Sequence, residues 1–205
     1  MGEFANNSTN NAYASTLAEA AYWTSLERNS DMVVMAAYAP LFCKKGFNKW
    51  NSNLIWFDNH GMWRTSNYYY QKLFSKSGNK AFSMSPVMDG DSIDTTIYTS
   101  PTIDTESGVA YIKFVNAEAV SKELTINLGN KNRYVATMEC ITSLDTTVKN
   151  QGNQNYYTGH PDVRRVSYKE AVVPSTTELG EVKKKFTLTM PENSVGVIKL
   201  VPSSK

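Results

Sequence analysis

The stretch LAEAAYWTSLERNSDMVVMAAYAPLF (residues 17–42), followed after a polar insert by NLIWFDN (residues 53–59), decides the architecture. Thr16 and Glu19 have capping-box spacing, in which hydroxyl and carboxylate each satisfy a free backbone donor. A helix is therefore expected from Leu17 to Asn29, with Ala18, Ala21, Tyr22, Ser25 and Leu26 on one face at three- and four-residue spacing. Asn29-Ser30-Asp31 ends it. Met32 to Ala37 is then uninterruptedly apolar, and a strand apolar on both faces belongs in a parallel sheet covered by helices. Pro40 stops that strand. Lys44 to Asn53 reads as a polar loop carrying Trp50 at the strand's carboxyl end, and Leu54 to Phe57 as a second short apolar strand. After a turn over Asp58 to Arg64, Thr65, Ser66 or Asn67 can cap a short aromatic helix from Tyr68 to Phe74. This order predicts half of a (β/α) barrel turn with its active-site loop.

Outward from that segment the grammar changes. Ser75 to Lys80 is a turn-rich hinge, after which the hydrophobic period is two. Candidate strands are Ile93–Thr99, Val109–Asn116, Glu123–Leu128, Tyr134–Leu144, Arg165–Val173, Lys185–Met190 and Val195–Val201. Leu124, Ile126 and Leu128 alternate with Thr125 and Asn127, as in a sheet with one wet face. Short strands at this spacing argue for an antiparallel sandwich. The expected fold class is thus mixed: an incomplete (β/α) barrel fragment in residues 1–77, then a jelly-roll-like antiparallel β-sandwich in residues 78–205. A long polar loop from Asp145 to Asp162 carries Tyr156 and Tyr157 near its tip.

With 205 residues, 41% of them hydrophobic, the chain can bury a core of one or two domains. A net charge of +2 is too small to argue for nucleic acid or a membrane surface as partner, and Lys183, Lys184 and Lys185 read as a solvated strand end. Cys43 and Cys140 match no metal or redox spacing, and His60 and His160 read as loop residues. No metal and no cofactor is expected. No window reaches the roughly 18 apolar residues of a bilayer span. The first motif begins almost at Met1, with no secretory signal ahead of it, so the chain reads as the tail of something longer.

The segments GEFA (2–5), LAEAAYWTSLERNSDMVVMAAYAPLF, Trp50 with NLIWFDN, and SNYYYQKLFS (66–75) resemble the end of the catalytic barrel in α-L-arabinofuranosidases of glycoside hydrolase family 51. The β-rich half, ending in SVGVIKLV (194–201), is similar to that family's C-terminal sandwich. The resemblance implies a retaining hydrolase, with two carboxyl groups about 5 to 5.5 Å apart, one a nucleophile and the other an acid, then a base. Gly2, Glu3, Phe4 and Ala5 fit the family's nucleophile context, so by resemblance Glu3 is the nucleophile, at the carboxyl end of a barrel strand where reactive groups project. The alternative is that Met-Gly-Glu-Phe is foreign to the protein and Glu3 carries no chemistry. By the same resemblance Trp50 and Asn53 bind substrate, Trp50 as an apolar wall and Asn53 as hydrogen-bond donor and acceptor. The family commonly has Asp at position 53, which puts a charged role there in doubt. No other carboxylate matches the acid/base motif: Glu19 is read as a helix cap, Glu27 as a structural ion-pair partner and Asp58 as a turn residue.

The implied function is release of terminal α-L-arabinofuranosyl groups from arabinoxylan- or arabinan-type glycans, with these residues alone inactive because the acid/base is missing. The alternative is a non-catalytic carbohydrate-binding or structural sandwich. Partners expected are an arabinofuranosyl-containing oligo- or polysaccharide and either a further copy or a missing barrel half; nucleic acid and membrane are not. Compartment is not readable, with an extracytoplasmic or secreted location the favoured expectation.

Overall fold

The architecture comes from a computed structural model, which describes residues 2–59, 61–85, 87–129, 132–152 and 168–203. Helix α1 (Tyr13–Arg28) and helix α2 (Ser66–Ser75) precede a β-rich half. Its main strands are β1 (Ile97–Ile103), β2 (Ala110–Asn116), β3 (Lys122–Asn127), β4 (Arg133–Thr142), β5 (Ser175–Lys183), β6 (Lys185–Met190) and β7 (Ser194–Pro202). A six-stranded sheet runs β5-β4-β7-β2-β1 and ends in the short strand Lys80–Ala81, all neighbours antiparallel. Strands β3 and β6 pair with each other as a separate two-stranded layer.

Period-two alternation sorts the side chains of this sheet onto two buried faces. Ile112 and Phe114 of β2, Ala136, Met138 and Cys140 of β4, and Ile198 and Leu200 of β7 meet Leu124, Ile126, Leu188 and Met190 of the two-stranded layer. This is the expected sandwich. The opposite residues, Val115, Ile141, Val195 and Val197, pack against Tyr13, Leu17 and Ala20 of α1 and Tyr70, Leu73 and Phe74 of α2. The wet face expected from the alternation is therefore confined to the two-stranded layer, where Thr125 and Thr187 stand exposed with their hydroxyls 2.9 Å apart. The central strands β2 and β7 of the large sheet are covered on both sides, and the core on the helix side spans both halves of the sequence.

A buried ion pair ties the helices to the sheet. Lys113 Nζ lies 2.6 Å from Glu27 Oε1 and also donates to Ser77 O at 3.0 Å. Glu27 further accepts from Ser100 Oγ (2.6 Å) and Trp23 Nε1 (2.9 Å), which makes it the structural partner the sequence suggested. Burial holds the Lys113 ammonium below the ordinary lysine value, against the pull of Glu27.

Four expectations are corrected. Met32 to Ala37 is not a buried strand: Met32, Val34 and Met35 are 80%, 94% and 71% exposed, and only Ala37 joins a ladder. An apolar run becomes a buried strand only where other elements cover it, and among the described residues none covers this one. Thr16 and Glu19 form no capping box. The helix starts at Tyr13 because Asn10 and Asn11 turn the chain at φ 51° and 60°, and carbonyls of Val148 and Thr146 take the Tyr13 and Ala14 N–H groups. The expected strand Ile93–Thr99 lies at Ile97–Ile103 and runs through Pro101, which stands opposite Ile112 of β2 on one side; on its other side runs only the short Lys80–Ala81 strand, paired at Ile103 and Thr102, so the proline sits near the sheet edge. Strand β5 was missed: its STTELGEVK sequence is almost wholly exposed, as a charged edge strand is.

The other predicted strands stand close to their expected ranges except the Arg165–Val173 candidate: of its described residues only Tyr168–Lys169 form a strand, paired with Gln151–Gly152, and residues 170–173 join no sheet. Its Arg165 to Ser167, together with Tyr156, Tyr157, His60 and His160, lie outside the described residues. Cys140 is buried and Cys43 half-buried, both as free thiols.

Candidate functional site

The first elements of the chain form one β-α-β unit. Two-residue strands Glu3–Phe4 and Ala37–Tyr38 lie parallel, in the register Glu3 to Ala37 and Phe4 to Tyr38, joined by α1. Parallel neighbours require such a crossover. A separate three-stranded sheet follows: Phe42–Lys44 parallel to Ile55–Phe57, then Met62–Arg64 antiparallel. The described residues close no barrel.

At the carboxyl ends of the parallel pair opens a cleft of about 610 Å³. Glu3 to Asn7 supply one wall, Ala39 and Pro40 another, Ala18, Glu19 and Tyr22 of α1 the floor, and Trp50 the rim. Alternation along the short strand separates two jobs. Phe4 packs against Tyr22, Trp23 and Tyr38 with ring centroids 6.0, 6.1 and 5.6 Å away. Glu3, next to it, stays exposed on the cleft wall. Trp50 is 60% exposed, so its ring is offered to solvent.

Glu3 and Trp50 thus share the cleft. Asn53 does not line it: the residue is 1% exposed, its Nδ2 donates to Trp50 O at 2.7 Å, and its N–H donates to Asn11 Oδ1 at 2.7 Å. It anchors the loop that carries Trp50. Asp58 accepts the Gly61 N–H at 3.1 Å, the turn role expected for it.

The residue that sequence reasoning missed is Glu19. It is 4% exposed, accepts the Asn6 N–H at 2.8 Å and Asn67 Nδ2 at 2.7 Å, and is hydrogen-bonded by the hydroxyls of Tyr70 and Tyr38. Burial pushes its carboxyl up to about 7, against the opposite pull of those four bonds. Asn67 continues the network to Ser15 (3.1 Å) and Asn11 (3.1 Å). One polar network therefore fastens the segment after Glu3, both helices and the Trp50 loop. The signal was a charged residue set among alanines in LAEAA. The face expected to pack, Ala18, Ala21, Tyr22, Ser25 and Leu26, left it out, whereas the structure buries Leu17, Glu19, Ala20 and Thr24 and exposes Ala18 and Tyr22.

Comparison with known proteins identifies the chain's relatives. The family described as "Alpha-L-arabinofuranosidase C-terminal domain" matches residues 4–194. A probable α-L-arabinofuranosidase A of Aspergillus oryzae is 29% identical over 185 residues, 89% of this chain and 26% of that protein. An extracellular exo-α-L-arabinofuranosidase of Streptomyces chartreusis is 46% identical over 74 residues, 36% of this chain and 9% of its own length. Among solved structures, an arabinose-bound MgGH51 α-L-arabinofuranosidase superposes with a TM-score of 0.77 at 29% identity, covering 94% of this chain and 28% of that one. An arabinose complex of the Thermotoga maritima α-L-arabinofuranosidase shares the fold at 17% identity and a TM-score of 0.69, covering 94% of this chain and 39% of that one. The chain spans about a quarter of the length of the Aspergillus relative.

Proposed function

This chain belongs to the family of the α-L-arabinofuranosidase C-terminal domain, and from that premise we propose that it supplies one half of a retaining glycosidase active site, with Glu3 as the nucleophile. The observation that carries the reading is the exposed Glu3 carboxylate on a cleft at the ends of parallel strands, beside an exposed tryptophan ring. In the reaction, a Glu3 oxygen bonds to the anomeric carbon of a terminal α-L-arabinofuranosyl group as the glycosidic C–O bond breaks. A second carboxylic acid protonates the departing oxygen. That group, now a base, then takes a proton from water as the water displaces Glu3 from the sugar. Trp50 packs against the sugar's apolar face, and Asn53 positions that ring through the Trp50 carbonyl.

The second carboxyl group is not Glu19, whose oxygens are committed to Asn6, Asn67 and two tyrosines. Among the described residues no other carboxylate lines the cleft. These 205 residues by themselves should therefore be inactive, since loss of a general acid alone costs about 10²- to 10⁴-fold and the rest of the pocket is needed for positioning. The glycans that fit are arabinoxylan- and arabinan-type, and an extracytoplasmic location accords with the extracellular Streptomyces relative.

The test joins residues 1–205 to the amino-terminal three quarters of the Aspergillus oryzae relative and assays an aryl α-L-arabinofuranoside. Turnover by the chimera, absent from its Glu3→Gln variant and from residues 1–205 alone, is expected. An active Glu3→Gln chimera would remove Glu3 from the chemistry.

A further inference from the structure

The loop that carries Trp50 walls a second cleft on its other side. There Lys45, Asn51, Trp56, Lys149 and Gln151, with Asn10, surround a space of about 360 Å³. Trp56 and Trp63 face each other across paired strands, rings nearly parallel at 6° and centroids 6.2 Å apart. Trp63 is buried and Trp56 partly exposed, so the outer ring is a flat apolar surface fixed from behind.

The rest of the lining is polar in a particular way. Its polar side chains are amides and two ammonium groups, and no carboxylate lines the space. Among the described residues neither Lys45 nor Lys149 has an ion-pair partner. Both sit on fixed backbone. The Lys45 N–H donates to Phe57 O at 2.8 Å, one residue from Trp56. Asn150, beside Lys149, is clamped to Val172 by two bonds of 2.7 Å.

A flat ring with amide donors and acceptors suits the C–H face and hydroxyls of a sugar. Two cations with no ion-pair partner among the described residues suit a carboxylate on that sugar. We propose that this cleft binds a saccharide bearing a uronic acid, the ring stacked on Trp56 and the carboxylate between Lys45 and Lys149. The site is separate from the Glu3 cleft and does not depend on the role of Glu3.

The experiment titrates the 205-residue chain, by calorimetry and tryptophan fluorescence, with xylotriose carrying one glucuronic acid and with plain xylotriose. Saturable binding of the acidic sugar is expected, at least about tenfold tighter than the neutral one, as for a charge-assisted hydrogen bond. Raising salt should weaken only the acidic sugar's binding. The Lys45→Met/Lys149→Met double variant changes side chains at the cleft edge and should keep its melting temperature while losing the tenfold preference. Equal affinity for the two sugars, no saturation by the acidic one at millimolar concentration, or an unaffected lysine double variant would each overturn the proposal.

Discussion

The two halves of this chain are held by different forces. In the sheet half, Phe114, Val115, Val195 and Ile198 are fully buried and strands of six to ten residues pair over their whole length. In the first 64 residues the strands are two or three residues long, large apolar side chains stand in water, and the tightest contacts are polar. The apolar core gives the domain its stability, whereas the cleft gets its shape from a hydrogen-bonded network around one carboxyl group. The half that carries the candidate chemistry is thus the half with the least apolar burial of its own, and it borrows rigidity from the sheet beneath it.

The largest expected effect tests the sheet half. Phe114→Ala should cost about 4 kcal/mol, as truncation of a buried aromatic does, and should melt both halves together because α1 and α2 pack on the same sheet. Urea denaturation followed separately by far-ultraviolet circular dichroism and tryptophan fluorescence checks this. Two separated transitions would break the picture of a borrowed core. The close approach of Phe114 to Gly196, where a Cβ would meet the ring at 2.5 Å, makes Gly196→Ala destabilising by the same route.

Next comes the link between the halves. Glu27→Ala leaves the Lys113 ammonium, 1% exposed, without its carboxylate, and should cost about 3 kcal/mol. Lys113→Met should cost much less, because Glu27 is closer to solvent and keeps Ser100 and Trp23 as donors. Equal losses in the two denaturation midpoints would mean that attraction, and not the burial of an unpaired charge, sets the energy.

The cleft network predicts a pH dependence. The Glu19 carboxyl rises from an ordinary 4.5 to about 7 in the folded chain, so between those values the folded state holds a proton that the unfolded state has released. Its contribution is complete below the unfolded value and is lost as pH rises through the folded one. From about pH 5 to about pH 7.5 the stability should fall by about 2 kcal/mol on this account. Glu19→Gln, which cannot ionise, should flatten that slope in pH-dependent melting. An unchanged slope would assign the titration to another group.

How much of this was legible follows the same division. Strands β2, β3, β4, β6 and β7 were readable because Leu124, Ile126, Val195 and Val197 meet local packing demands written as alternation. Strand β5 was not, since a polar edge strand takes its place from β4 and not from its own pattern. In the other half the helix was readable from LAEAA, and GEFA was placed at a strand end by the family resemblance, but the second strand was expected at Met32–Ala37 and stands at Ala37–Tyr38. The fate of Met32 to Ala37 was not readable, because apolarity specifies that a segment prefers burial and does not specify what covers it. Glu3 and Trp50 were proposed through a family motif, whereas the Glu19 network needed coordinates, because its partners Asn6 and Asn67 are 13 and 48 residues away.

The smallest expected effect probes the barest segment. Val34 is 94% exposed and Met35 71%, so their side chains contribute almost no burial to the monomer. Val34→Asp combined with Met35→Ser should therefore change unfolding free energy by no more than about 0.5 kcal/mol, the usual range for surface substitutions. Together with Met32, Phe42 and Phe47 the same side chains form exposed apolar surface, which favours association. Sedimentation velocity should accordingly show less self-association in the double variant than in the parent chain at equal concentration. If instead the variant lost more than about 1 kcal/mol, and lost it only at high concentration, Val34 and Met35 would be covered by another copy in solution. The first 64 residues would then owe part of their stability to a partner, and the contrast with the sheet half would hold only for the isolated chain.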